Sequence, residues 1–254
     1  MNKKIAAVCS LAAATASLAT SVSARDMYYE DAHPHAAATV AYESEYIFRG
    51  VQASKRVFRP GLEVGVRDLY ASFEGIFSTD SDFSHYNQLN LSAGFRNDLD
   101  DFLLMDFGGV LYYFPRLDNE MPGEDDVTGD LYTGIGLGLP LNPWLYFSYD
   151  VVLEDFNMEG SLEHEIPLNS QWSVDLAAIG GHAWVKSGKP WMMRSVNYFY
   201  AGAAADLRFA LDESSSVSLG GRFSTNDLST GERAASGGAN TANLWWRAAF
   251  TAEF

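Results

Sequence analysis

Apolar and polar side chains alternate with a period of two through most of the chain after position 39. In residues 144–154, for example, Leu145, Phe147 and Tyr149 share one side and Asp150 lies on the other. Because successive side chains of a β-strand point to opposite faces, each such segment predicts a strand with one apolar face. The pattern predicts about 12 strands, each close to the length that a tilted membrane strand needs. The predicted strands are 39–50, 58–67, 69–78, 85–96, 102–114, 129–140, 144–154, 160–168, 171–184, 197–210, 215–225 and 241–254.

The predicted connections alternate between short turns and longer loops. This asymmetry is typical of bacterial outer-membrane barrels, whose periplasmic turns are short and whose extracellular loops are long. It predicts an all-β fold, a transmembrane antiparallel up-and-down β-barrel with both termini on the periplasmic side. A soluble β-sandwich would show a similar alternation but does not explain the loop lengths. The short turns are 67–68, 97–101, 141–143, 169–170 and 211–214, and the longer loops are 51–57, 79–84, 115–128, 155–159, 185–196 and 226–240.

The beginning of the chain carries the features of an export signal. Lys3 and Lys4 precede an apolar, Ala-rich stretch, and Val22-Ser23-Ala24 is a small-x-small cleavage sequence. An N-terminal membrane anchor is the alternative, although the stretch is short for a membrane span. We predict a signal peptide at 1–24 that is cleaved near Ala24, a periplasmic lead at 25–38 and an outer-membrane barrel at 39–254.

Composition and charge exclude several function classes for the mature chain. Cleavage removes Cys9, which is the chain's one cysteine, so a disulfide framework and a thiol nucleophile are both excluded. The formal net charge of −16 becomes −18 when Lys3 and Lys4 are removed with the signal. This acidic balance argues against nucleic acid as a partner, because phosphate binding needs a basic face.

The last predicted strand has a regular apolar face that ends at the last residue. Leu244, Trp246, Phe250 and Phe254 share one side of this strand. Outer-membrane proteins commonly end in such a strand, which the barrel-assembly machinery recognises. We therefore expect three partners: that machinery, through Phe254, the lipid of the outer membrane, and lipopolysaccharide.

A motif in the first predicted strand resembles a known family. Ser44-Glu45-Tyr46-Ile47-Phe48-Arg49-Gly50 is similar to the S-x-Y-x-F-R-G motif that opens members of the TorF porin family. Segments 59–63 (Arg-Pro-Gly-Leu-Glu) and 69–73 (Leu-Tyr-Ala-Ser-Phe) resemble the second and third strands of that family. The sequence departs from the family pattern at Val51-Gln52 and at Phe77-Ser78. The resemblance covers roughly residues 39–78 and implies a porin-type barrel in the outer membrane rather than a particular substrate.

Charged residues on the polar parity of the strands form two predicted walls of the lumen. We predict that they line a pore and produce a transverse field, which would favour small polar or zwitterionic solutes in passive diffusion. No cofactor is predicted. The basic wall consists of Arg49, Arg59, Arg222 and Arg247, extended toward the periplasm by Arg67, Arg96 and Arg208. The acidic wall consists of Asp106, Asp130, Asp150, Glu154, Glu163, Glu165 and Asp175. Glu43, Glu45, Glu63 and Glu74 also place acids on the basic side.

Two alternatives to a channel use the same barrel. In the first, the lumen is plugged and its charges pair into a structural network, since side chains can nearly fill a barrel of this size. In the second, the loops carry a surface-interaction function, and Trp191-Met192-Met193-Arg194 is the most apolar loop segment. This segment would instead narrow the mouth of the pore if it folded inward.

An enzyme is the least favoured class. A lipid-modifying hydrolase needs a nucleophile with a nearby base, and His182 beside Ser187 and Ser195 is the one arrangement that approaches this requirement. No motif supports it, so we predict no catalytic residue. The histidines of Asp31-Ala32-His33-Pro34-His35 and the acids of 124–126 are interpreted as solvated, and no metal site is predicted.

Overall fold

The computed structural model describes residues 34–80, 87–100, 102–115, 126–186, 196–228 and 241–254. The predicted signal peptide, most of the predicted lead and the loop segment 191–194 lie outside these residues. No helix among the described residues is long and apolar enough to cross a membrane.

Within the described residues, twelve antiparallel strands close into one barrel. Each strand pairs with its neighbours in the sequence, and β1 pairs with β12 to complete the ring. The prediction of an up-and-down antiparallel barrel of about 12 strands is therefore confirmed. The strands are β1 (His35–Phe48), β2 (Val51–Val66), β3 (Leu69–Ser78), β4 (Gln88–Asp98), β5 (Leu103–Tyr113), β6 (Val127–Leu137), β7 (Trp144–Asp150), β8 (Phe156–Pro167), β9 (Trp172–Val185), β10 (Val196–Ala210), β11 (Ser215–Asn226) and β12 (Ala242–Glu253).

The first strand begins earlier than the alternation predicted. β1 starts at His35 rather than at residue 39. The Ala36 N–H donates to the Phe254 carbonyl at 3.2 Å, and the Phe254 N–H donates to the Ala36 carbonyl at 2.8 Å. Residues 35–38 therefore belong to the wall, and they hold the last residue of the chain in the seam that closes the barrel.

The second strand also begins earlier than predicted, with a larger consequence. β2 starts at Val51, so the predicted long loop at 51–57 is wrong. Only Arg49 and Gly50 lie between β1 and β2. Where the sequence suggested a loop, the structure has a long hairpin with a two-residue turn.

The two faces of the wall differ in the way that the alternation predicted. Leu131, Phe199, Leu219 and Leu244 point outward and keep 60%, 62%, 60% and 78% of their surface exposed. An apolar outer surface of this extent suits the hydrocarbon core of a bilayer. The inward side chains are mostly polar, aromatic or small, and many of them are buried.

Candidate functional site

The β1–β2 hairpin leaves its neighbour β12 partway along the wall. β1 pairs with β12 only as far as Glu43, which lies opposite Arg247, although β12 continues to Ala242 alongside β11. Just beyond this point the Trp246 N–H donates to the Ser44 hydroxyl at 3.1 Å. Among the described residues, the hairpin has no strand pairing with β12 beyond Glu43.

On its other side the pairing of the hairpin with β3 ends near Arg56. The Thr79 N–H donates to the carbonyl of Arg56 at 2.8 Å, and Arg56 has a positive φ of 51°. The register between β1 and β2 also shifts at Tyr46 and Ile47, which marks a bulge. Bulges bend and twist a hairpin. We call residues 44–55 the inserted hairpin, because they turn into the lumen at the end of the barrel that carries the long loops.

The tip of the inserted hairpin crosses in front of β12 and contacts β10 and β11. Arg49 and Gly50 have φ values of 43° and 76°, as the central residues of a type I′ turn do. The Asn226 amide on β11 donates to the Gly50 carbonyl at 2.6 Å. A Cβ at Gly50 would overlap the Cβ of Tyr200 on β10, so glycine is required both for the turn and for this close approach.

An apolar cluster surrounds the inserted hairpin and fills the long-loop half of the lumen. Tyr46 and Phe48 are each only 6% exposed. Burial of side chains of this kind contributes about 1.5–3 kcal/mol each, so the cluster stabilises the inserted position. The cluster consists of Tyr46, Phe48, Val51, Ala53, Val57, Ile76, Ala183, Val185, Tyr198, Tyr200 and Leu228.

A buried ion pair fixes the tip of the hairpin across the lumen. The Arg49 guanidinium donates to a carboxylate oxygen of Asp130 on β6 at 3.2 Å and to the Ser148 hydroxyl on β7 at 3.1 Å. The two charged side chains are 2% and 1% exposed. The Arg49 guanidinium also lies 5.1 Å from the centre of the Phe48 ring. The arginine of the S-x-Y-x-F-R-G motif therefore connects β1 and β2 to the opposite wall.

A layer of ion pairs lies near the middle of the barrel. Arg59 donates to Glu43 at 2.7 Å and to Glu74 at 2.6 Å. Arg222 donates through two nitrogens to the two oxygens of Asp206, at 3.1 and 2.7 Å. Such two-pronged guanidinium–carboxylate pairs hold both groups in a defined geometry. Arg247, the fourth predicted basic residue, is buried in the same layer.

Asp106 organises an aromatic group in the short-turn half of the lumen. Its carboxylate accepts hydrogen bonds from the Tyr70 hydroxyl at 2.8 Å, the Tyr146 hydroxyl at 3.0 Å and Arg96 at 2.7 Å. The Arg96 guanidinium lies 5.3 Å from the centre of the Tyr70 ring and 5.6 Å from that of Trp144. Asp106 is therefore saturated with donors, as a buried carboxylate needs to be.

Asp150 serves the turn at the end of β7. Its carboxylate accepts from the Thr128 hydroxyl at 2.7 and 2.6 Å and from the backbone N–H groups of Val152 and Leu153 at 2.8 and 2.7 Å. Side-chain capping of this kind is a frequent structural role of aspartate in turns.

The next residues of this turn lie outside the strands. Glu154, which the parity of the strands placed inward, is exposed and forms an ion pair with Lys186. Burial raises the pKa of Asp155 to about 6, the nearby charge of Asp150 adds to the effect, and the backbone hydrogen bond from Lys186 opposes it. A protonated Asp155 would still accept that hydrogen bond.

The remaining predicted acids lie at the short-turn end, where side chains remain partly exposed. Glu163 on β8 and Asp175 on β9 are both partly exposed, and Asp175 lies directly opposite Glu165. Arg208 on β10 is partly exposed as well and donates to the Ser216 hydroxyl at 3.2 Å. The interior is thus accessible to water from the short-turn end and densely packed at the other end.

Three of the four predicted arginines pair with carboxylates rather than facing a separate acidic wall. Arg49, Arg59 and Arg222 each donate directly to a carboxylate. The parity of the strands places charges on faces but does not show which side chains reach each other. The inserted hairpin carries Arg49 to the acidic side, and Glu43 and Asp206 lie next to the basic strands.

His182, the histidine of the hydrolase hypothesis, lies among aromatic rings. The His182 ring lies 3.9 Å from the Trp184 ring and 4.2 Å from the Phe199 ring, measured between centroids. Ser187 and Ser195 lie outside the described residues. The described part of the site is therefore an aromatic group on the barrel exterior.

The amino-acid sequence of the chain matches a known protein family. A family described as a bacterial protein of unknown function (Gcw_chp) matches residues 29–186. The chain belongs to this family. The matched range contains the inserted hairpin and strands β1 to β9 of the Gcw_chp barrel. No curated protein sequence matches the chain. The resemblance to the TorF family stays a prediction.

Solved structures with a similar fold are described as porins. The NanC porin has a TM-score of 0.53 and 10% identity over 85% of this chain and 98% of that chain. The KdgM porin has a TM-score of 0.53 and 8% identity over 86% of this chain and 99% of that chain. At these identities the likeness shows that this Gcw_chp protein shares their barrel fold.

Proposed function

We propose that this chain is a channel of the bacterial outer membrane for passive passage of small polar or zwitterionic solutes, narrowed at its long-loop end by the inserted hairpin. The observation that carries the proposal is the charged inward face of a closed barrel whose outward face is apolar. Taking charges out of water costs free energy, and apolar packing would stabilise a purely structural interior at least as well. A path for polar solutes accounts for the concentration of charges inside.

Two further observations support the membrane location. Apolar side chains cover the exterior of the barrel, as hydrocarbon contact requires. The porins with a similar fold span comparable lengths of chain. In the proposed orientation the short turns face the periplasm, the long loops face outward, and lipid and lipopolysaccharide surround the exterior.

Recordings from single barrels in planar lipid bilayers test the channel. We expect discrete openings of low conductance from the wild-type protein, because the inserted hairpin leaves little free cross-section at the long-loop end. Folding is checked beforehand by the shift in gel mobility between boiled and unboiled samples. Absence of conductance from correctly folded wild type, and equally from a variant without the inserted hairpin, would sink the channel proposal.

A plugged barrel with a structural or surface-interaction role is the second candidate. The apolar cluster and the Arg49–Asp130 ion pair favour it, because they fill the long-loop half with well-packed side chains. The same recordings separate the two candidates. A permanently plugged barrel stays silent under all voltages, whereas a channel shows openings.

Recognition by the barrel-assembly machinery is proposed for the Phe254 ring, which is 79% exposed at the end of the chain. We expect Phe254→Ala to lower the amount of folded barrel in outer-membrane fractions several-fold, because the ring is lost while the backbone bonds to Ala36 remain. Phe250→Ala is the matched control, since it removes an outward ring from the same strand. Equal losses in the two variants would count against a specific role of Phe254.

A further inference from the structure

Arg247 differs from the other buried arginines in lacking a carboxylate of its own. Arg49, Arg59 and Arg222 each donate hydrogen bonds of 3.2 Å or less to a carboxylate. The nearest carboxylate oxygen to Arg247 is Oε1 of Glu43, 3.5 Å from its Nε. Among the described residues, the Arg247 Nε has no hydrogen-bond partner, although the side chain is only 8% exposed.

Glu43 is not a dedicated partner for Arg247, because its carboxylate also accepts hydrogen bonds from two other donors. Its Oε1 accepts from Arg59 at 2.7 Å, and its Oε2 accepts from the Trp245 indole N–H at 3.3 Å. A guanidinium carries five N–H donors arranged to bind a planar anion with two prongs. Arg247 therefore holds unused donor capacity where the cost of leaving donors unmet is high.

Arg247 lies on the inward face of β12, between the packed long-loop half of the lumen and the water-accessible short-turn end. Ala249 and Thr251 follow it on the same face of β12 and lie opposite Ala41 and Thr39 of β1. On the other side β11 contributes Gly220 opposite Arg247 itself. Thr251 is partly exposed, whereas Thr39, Ala41 and Ala249 are buried and Asp206 fills the space beside Gly220. A solute entering from the short-turn end therefore meets small side chains before Arg247 rather than an open path.

We propose that Arg247 forms a binding subsite inside the barrel for the carboxylate group of a small organic anion. The carboxylate of the solute accepts hydrogen bonds from two nitrogens of Arg247, as Asp206 accepts them from Arg222. This inference rests on the proposed channel function and gives it a substrate class: solutes that carry a carboxylate, including zwitterionic ones. Arg247 is then the residue that retains such solutes partway through the barrel.

Binding of acetate to the folded protein in detergent micelles tests the subsite without requiring conductance. The acetate methyl resonance is followed by saturation transfer at constant ionic strength, with chloride as the balancing anion. We expect a saturable component in wild type that is about 10- to 100-fold weaker in Arg247→Gln, the range of a lost hydrogen-bonded charge. Arg247→Gln should fold, because Glu43 keeps its bonds to Arg59 and Trp245.

Arg208→Gln is the matched control, since it removes the same charge from an inward arginine nearer the short-turn end. It should keep the saturable component. Trp245 adds a local signal: its fluorescence should respond to acetate in wild type, and this response should be absent from Trp245→Phe. Identical acetate binding by wild type and Arg247→Gln, or no saturable binding by wild type, overturns the subsite. Binding without conductance in any variant would instead overturn the channel and leave the subsite in place.

Discussion

Replacing residues 46–54 by an Asn-Gly turn is expected to raise the single-channel conductance at least several-fold. Glu45 and Lys55 lie opposite each other, so a two-residue turn can connect them without disturbing the rest of the hairpin. The replacement removes Arg49, Tyr46 and Phe48 from the lumen. Because these groups fill the long-loop half, their loss leaves a path bounded by the polar wall.

The control for this variant places the same Asn-Gly pair at Asp212-Glu213, in the exposed turn between β10 and β11. This change should leave conductance at the wild-type level. Conductance is measured in planar bilayers at symmetrical salt, with folding checked by gel mobility. If the shortened hairpin conducts no better than wild type, then the inserted hairpin is not what limits passage.

Arg49→Met is expected to have the largest effect on stability. It leaves the Asp130 carboxylate, whose side chain is 1% exposed, beside an apolar group. Removing one partner of a buried ion pair costs about 3–5 kcal/mol. We expect either a matching loss in the free energy of unfolding or, if the hairpin undocks first, an increase in conductance. Unfolding in urea from lipid vesicles and bilayer recordings measure the two outcomes.

Two further variants show whether the loss comes from the buried pair. Asp130→Asn combined with Arg49→Met should be less destabilised than the sum of the single changes, because the buried carboxylate and the buried guanidinium are removed together. Arg56→Met breaks the ion pair with Asp80, in which the Arg56 side chain is 61% exposed. Such a pair contributes about 0–1 kcal/mol. Equal losses in Arg49→Met and Arg56→Met would contradict the importance of burial.

The alternation of side chains was sufficient to predict the barrel. Strand number and closure follow from a period of two and from the lengths of the connections. β3 was predicted with its observed bounds, 69–78, because a short turn precedes it and its apolar side chains alternate regularly. The bounds of such a strand depend on residues close together in the sequence, so they can be predicted from the sequence.

The inserted hairpin could not be predicted by the same reasoning. Alternation assigns each residue to a face but assumes that the strand stays in the wall. One signal was present: Val51, Ala53 and Val57 share the parity of the inward Arg59. Apolar residues on the inward parity at one end of a barrel indicate that something apolar lies inside. The bulge at Tyr46 and Ile47, which depends on backbone geometry, has no comparable signal in the sequence.

The partners in the ion pairs also cannot be predicted from the sequence, for a physical reason. Strand parity predicts that residues such as Asp106 and Asp130 face the lumen, whereas their contacts depend on how far a side chain reaches across strands. Arg96 reaches Asp106 on the next strand, but Arg49 reaches Asp130 across the barrel. Only the three-dimensional path of the hairpin distinguishes these cases.

The bond between Gly50 and Asn226 has a consequence for the order of assembly. It joins residues 176 positions apart, and the β1–β12 seam joins still more distant ones. A hairpin with a two-residue turn forms early because its contacts are local, whereas contacts between residues far apart in the sequence form late. The first hairpin of the chain can therefore be complete before most of the barrel exists, yet it reaches its final position only after the last strands arrive. Its docking marks the end of folding.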